Sequence, residues 1–157
     1  MPDDEIQNIC DAITGTLEGA FELLIERRET ALAAALKPRG AEAQSLRQEY
    51  AALEEAKRNL EALLPARARE AQREADALLL SGKAEQAEMK LAEARQASEA
   101  PATMTQRQGE ISARIEEIQA EERTIAREVF ERWVAEDVPP VVRAVEHALF
   151  VVVLERF

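Results

Sequence analysis

The stretch "LLLSGKAEQ", residues 78–86, decides the fold predicted for this chain. Three leucines end a long helical pattern, Ser81 and Gly82 are turn residues, and an Ala- and Glu-rich segment with strong helix propensity begins after Lys83. Glycine is the usual residue just beyond a helix C-terminus. We therefore predict a tight turn at Ser81–Lys83 that separates two long helical arms.

Both sides of this turn have the composition of a helical protein. Ala, Glu, Arg, Leu and Gln dominate the 157 residues, aromatic residues make up 4%, and Gly and Pro number only 5 and 6. A fold of strands joined by frequent turns needs more aromatic, Gly and Pro residues than this. We predict a single all-α domain, residues 1–157, built as a long antiparallel helical hairpin.

Two narrow apolar seams favour a coiled-coil arm. Their residues recur at alternating spacings of three and four, which gives the width of a coiled-coil contact. The arm, residues 41–122, would pack these seam residues together: Leu46, Tyr50, Leu53, Leu60, Ile111, Ile115 and Ile118. Residues 1–40 and 123–157 would form a helical-bundle base.

Several prolines predict interruptions along the two arms. The segments Lys37–Gly40 and Asp137–Pro140 both contain proline. Proline lacks the N–H that a helix interior needs, so helices often end just before it. We therefore predict that helices end at these two segments and at Ala100, before Pro101, and that Pro65 disturbs the helix that contains it.

Two registers of the arm remain possible. A turn at Ser81–Lys83 would place Leu53 opposite Ile111. A competing register, two heptads away, would place Lys57 opposite Glu122, two residues that each interrupt an apolar seam. That alternative moves the turn into the following helix pattern, which contains no breaker. The chemistry of the turn favours the first register.

The segment "ALFVVVL", residues 148–154, is an unbroken apolar run near the C-terminus. One partner helix covers only one of its sides, and each large apolar side chain left in water forgoes roughly 1.5–3 kcal/mol. We predict that the N- and C-terminal helices of two chains form a four-helix base around a twofold axis. The expected oligomer interface comprises Val145, Leu149, Phe150, Val151, Val152, Leu154, Ile13 and Leu17.

The sequence offers little support for catalysis or metal binding. His147, the only histidine, has Ala144 at the position where a Glu-x-x-His metal site needs its glutamate. Cys10 has no cationic neighbour to activate its thiolate, so we expect it to pack in the core. Gly-rich phosphate-binding loops and cysteine pairs are missing from the sequence. We therefore expect no enzyme activity, no catalytic residue, no metal and no cofactor.

The net charge and the cysteine content limit the cellular compartments and the classes of binding partner that we expect. The formal net charge of −11 opposes nucleic-acid binding, which needs basic surfaces. A single cysteine implies no oxidising compartment, and no apolar stretch reaches the roughly 18 residues of a membrane-spanning helix. We expect a cytoplasmic protein, and the Arg- and Ala-rich composition is typical of GC-rich bacterial genomes.

These features predict a structural or interaction protein, a homodimeric coiled coil that presents a helical arm to another protein. The alternative is a small acidic helical chaperone or adaptor in a bacterial secretion or phage-type assembly. The stretch from Gly82 to Ala94 also has the spacing of the second helix of a tetratricopeptide repeat. A lone half-repeat does not bury a core, which favours a helix turn followed by an Ala-rich packing face.

Overall fold

The computed structural model describes residues 3–156 and the side chains of residues 4–155. Helix α1 spans Asp3–Leu80, α2 spans Ala84–Arg132, a π-helix spans Trp133–Asp137, and α3 spans Val138–Arg156. None of the described residues forms a strand. The predicted all-α fold is confirmed.

The turn between α1 and α2 lies at the predicted position. Gly82 has a φ angle of 75°. Its N–H donates to the Leu79 carbonyl at 3.0 Å, and the Lys83 N–H donates to the Leu78 carbonyl at 2.9 Å. This pair of bonds is the Schellman motif, in which the residue after the helix adopts a left-handed conformation that glycine tolerates best. The predicted hairpin tip at Ser81–Lys83 is therefore confirmed.

The chain divides into two compact units. The hairpin unit comprises Ala41–Ile118 and contains the turn. The terminal unit combines the described parts of Met1–Gly40 and Gln119–Phe157. The units therefore divide at residues 118 and 119, whereas the predicted arm and base divide at residues 122 and 123. Helix α1 contributes its first half to the terminal unit and its second half to the hairpin unit.

Ion pairs show that α1 and α2 are antiparallel in the hairpin unit. Near the turn, Lys90 Nζ lies 3.1 Å from Glu74 Oε2. Farther from the turn, Arg114 Nε lies 2.8 Å from Glu42 Oε1. Residue numbers thus fall along α1 as they rise along α2, which is the arrangement that a short turn between two helices produces.

The core of the hairpin unit is narrow and partly built from small side chains. Ile111 and Ile118 are fully buried, and the buried alanines are Ala43, Ala75 and Ala87. Alanine lets two helix backbones approach closely, but it contributes little apolar area to the core. The few large buried side chains therefore supply most of the hydrophobic stabilisation of this unit.

Lys57 distinguishes between the two registers. Its Nζ lies 3.3 Å from Thr105 Oγ1 and 3.5 Å from Gln108 Oε1. Both partners are residues that the register set by the turn brings close to Lys57. The competing register, with Lys57 opposite Glu122, is therefore wrong.

The predicted helix end at Lys37–Gly40 is wrong, because α1 continues through this segment. The predicted break at Pro101 is also wrong, because Pro101 lies inside α2, whereas Pro65 lies inside a helix as expected. A proline costs a helix interior about 3 kcal/mol, through a lost hydrogen bond and a ring clash. Ending the helix would instead create new unsatisfied terminal groups and interrupt the pairing on both sides. Continuous pairing outweighs the local preference of proline here.

The predicted break at Asp137–Pro140 is also wrong, because a π-helix ends at Asp137 and α3 begins directly at Val138 and includes both prolines. Across Trp133–Asp137, the Val138 N–H donates to the carbonyl of Trp133. The two prolines that follow offer no N–H, and their rings crowd the carbonyls four residues earlier. A wider turn relieves this crowding, so the chain continues into α3 without a break.

Candidate interaction surfaces

The terminal unit pairs the first part of α1 with the end of α2 and with α3. The Trp133 indole N–H donates to the Leu24 carbonyl at 2.8 Å, and Arg28 lies over the indole ring, 5.5 Å from its centroid. Arg39 Nε lies 3.0 Å from Glu121 Oε2. These contacts make the pair antiparallel, and the directional indole bond fixes how the two segments meet.

The predicted interface residues are only partly covered by the chain itself. Phe150 is 60% exposed, Leu154 is 62% exposed and Leu17 is 48% exposed. The other members of this set are half-buried: Ile13, Val145, Leu149, Val151 and Val152. A single chain therefore leaves much of this apolar set in contact with solvent.

The sequence prediction missed further exposed apolar residues of the terminal unit. Phe21 is the most exposed of them, at 66%. The others are Ile6, Leu23, Phe130, Val134, Val142 and Val153. Their apolar character was evident in the sequence, but periodicity alone does not tell which side of a wide stripe its own chain covers. Concentrations of exposed apolar side chains commonly mark binding surfaces.

A groove of about 430 Å³ lies between the two paired segments of the terminal unit. Small and apolar side chains dominate its lining, which comprises Thr16, Gly19, Ala20, Leu23, Pro140, Val141, Ala144 and Val145 together with Arg27. Arg27 brings a positive charge to this otherwise small and apolar lining.

The hairpin unit contains a polar layer, defined as Glu54, Lys57, Thr105 and Gln108. Gln108 is 5% exposed. Its Oε1 lies 3.5 Å from Lys57 Nζ, and its Nε2 donates to Glu54 Oε2 at 2.7 Å. The sequence identified Lys57 as an interruption of its seam but missed this partner. The available signal was that Gln108 stands three residues before Ile111, at a seam position of α2.

Hydrogen bonds across the hairpin unit shift the pKa of two carboxylates. The Gln108 amide, followed by the charge of Lys57, lowers the pKa of Glu54. Arg107 lowers the pKa of Glu49, mainly through its hydrogen bonds and also through its charge. A carboxylate whose pKa is lower in the folded chain stabilises the fold above its ordinary pKa and loses this effect as the pH falls. Both interactions therefore favour the hairpin at neutral pH and weaken in acid.

The predicted arm seam lies between α1 and α2 with unequal burial. Ile111 and Ile118 are fully buried, whereas Tyr50 is 38% exposed. The remaining members are half-buried: Leu46, Leu53, Leu60 and Ile115. The most deeply buried large residues of the seam therefore lie on α2.

Neither candidate reactive side chain belongs to a site within the described residues. Cys10 is exposed, so the prediction that it packs in the core is wrong. It flanks the seam of α1, and the described side chains leave it open to solvent. His147 is also exposed. Among the described residues, no group of three or more His, Cys, Asp or Glu side chains could hold a metal ion.

None of the described helices combines the length and the apolarity that crossing a bilayer requires. No protein-family model, no curated protein and no solved structure matches this chain.

Proposed function

We propose that this chain is a non-enzymatic structural protein that acts by binding other proteins. In this proposal it is a cytoplasmic homodimer that joins through its terminal unit and offers its hairpin unit to a further protein. The observation that carries the proposal is the concentration of exposed apolar side chains in the terminal unit, led by Phe21, Phe150 and Leu154.

The energetics of these side chains support a protein partner. Burying a large apolar side chain contributes roughly 1.5–3 kcal/mol, and those of the terminal unit are about half covered. Leaving so many in water also promotes aggregation. Covering them with another protein surface gains the energy of burial and also prevents the aggregation.

The hairpin unit has the features of a presented arm. Its surface carries many charged residues, and ion pairs such as Arg107 with Glu49 join the two helices. At its tip, Leu80 is 91% exposed, with Met89 at 62% and Leu79 at 53%. Exposed apolar residues at a rigid turn supply a compact contact for a protein partner.

A second candidate function is a small acidic helical chaperone or adaptor in a bacterial assembly. The groove lined by Thr16, Ala20 and Val141 favours it, because a helix with an apolar face fits such a groove. In this alternative the groove, and not the hairpin tip, contacts the client protein.

Multi-angle light scattering tests the proposed homodimer. The expected mass is about twice the 17.5 kDa of one chain. Dilution should lower the mass only when the concentration approaches the dissociation constant. A mass of one chain at all concentrations would contradict the proposed function.

A further inference from the structure

Several of the exposed apolar residues of the terminal unit share one position relative to its seam. Leu17 follows the half-buried Thr16, and Phe21 follows the half-buried Ala20. Val142 follows the buried Val141 in the same way. Because successive helix residues are rotated by about 100°, each of these side chains flanks the seam on the same rotational side.

The groove residues occupy the opposite rotational position. Gly19 and Leu23 come one residue before the seam residues of α1, and Ala144 comes one residue before Val145 of α3. An antiparallel helix pair has a local twofold axis perpendicular to the plane of its two helices. Equivalent positions on the two helices therefore emerge on the same side of that plane.

The two paired segments of the terminal unit consequently have two different sides, which we call the apolar side and the groove side. The apolar side carries Leu17 and Phe21 from α1 and Val142 and Val153 from α3. The groove side carries the small residues at the mouth of the groove. The two sides differ in shape, because large side chains project from the first and small residues form a depression on the second.

We propose that a second copy of this chain covers the apolar side. This inference rests on the proposed homodimer and specifies which surface forms it. Two such sides, related by a twofold axis, would stack as the two layers of a four-helix bundle. Both layers would present antiparallel helices at the same spacing.

The charge pattern of α1 is compatible with a second copy at this side. Two acidic chains repel each other wherever charged surfaces meet, and 32% of the residues are charged. On α1, the positions that follow seam residues between residues 10 and 25 carry no charge: Cys10, Thr14, Leu17, Phe21 and Ile25. This part of α1 therefore brings no charged side chain to the contact, whereas on α3 the position that follows Val145 is the charged Glu146.

The exposed area also suits a stable dimer. The exposed fractions of Leu17, Phe21, Val142 and Val153 range from 43% to 66%. They correspond to an area on the order of 400 Å² per chain. A standard interface buries about 800 Å² per partner, of which somewhat more than half is apolar. The apolar side supplies nearly all of this apolar share.

Two matched substitutions on α1 test the assignment. Phe21→Glu places a charge on the apolar side, and Leu23→Glu places the same charge on the groove side, where Leu23 is 40% exposed. Equilibrium sedimentation should show the dissociation constant raised by at least about 30-fold for Phe21→Glu. The Leu23→Glu dissociation constant should stay within about threefold of the unsubstituted chain.

The possible outcomes separate the inference from the proposed function. If the dimer forms equally well with Phe21→Glu, the inference is wrong but the proposed homodimer is not. If only Leu23→Glu weakens the dimer, the contact lies on the groove side. An unsubstituted chain that sediments as a monomer overturns both. If circular dichroism shows that Phe21→Glu loses helicity, Phe21→Ala takes its place, with an expected increase of about tenfold in the dissociation constant. An unchanged constant for Phe21→Ala would then overturn the inference.

Discussion

Ile118→Ala should lower the free energy of unfolding by about 2–5 kcal/mol. Ile118 is fully buried between α1 and α2. Truncation removes apolar contact and leaves a cavity in a narrow core that has few other large buried side chains to fill it. Urea unfolding, followed by helical circular dichroism, measures the loss.

Leu63→Ala is the matched control for this substitution. Leu63 lies in the same hairpin unit but is 50% exposed, so its truncation should cost less than about 1 kcal/mol. Equal losses for the two substitutions would mean that the narrow seam does not provide the main stabilisation of the hairpin unit.

Gln108→Leu should cost about 1–3 kcal/mol, although leucine is the more apolar residue. The substitution removes the amide that contacts Lys57 and Glu54, so two charged side chains lose a hydrogen-bonding partner at the edge of the seam. Adding Lys57→Leu should restore at least half of the loss, because two apolar residues then pack against each other.

A double-mutant cycle on Lys57 and Gln108 tests this interpretation of the polar layer. The expected coupling energy is about 0.5–3 kcal/mol, which is the range for residues in contact. If the losses of unfolding free energy for the two single substitutions simply add in the double substitution, the two residues do not interact in a polar layer. Glu49→Gln serves as a comparison outside the seam and should have a smaller effect, because Glu49 is solvent-exposed.

The sequence was most informative where one local feature determines the backbone. Gly82 follows a long helical pattern and supplies the left-handed residue that the turn needs, so both the tip and the helical fold were predictable. Proline was misleading because its local cost competes with pairing along a whole helix. That pairing depends on the partner segment, which lies far away in the chain.

The candidate surface was predictable only in part. The apolar residues 148–154 indicated that the interface lies on the terminal helices, but the exposed position of Phe21 was not predicted. Periodicity identifies a wide apolar stripe without telling which part its own chain covers. The polar layer was missed for a related reason, since Gln108 gains its role only from Glu54 and Lys57 on the other helix.

The central claim is that a second copy covers the apolar side of the terminal unit. Pulsed electron paramagnetic resonance tests it most directly on a chain with one spin label, because any dipolar coupling then arises between two chains. Glu18→Cys in a Cys10→Ser background provides one exposed thiol beside the apolar side. We predict a defined distance that disappears with Phe21→Glu and persists with Leu23→Glu. Coupling no greater than the random background, at concentrations where light scattering is performed, would contradict the claim.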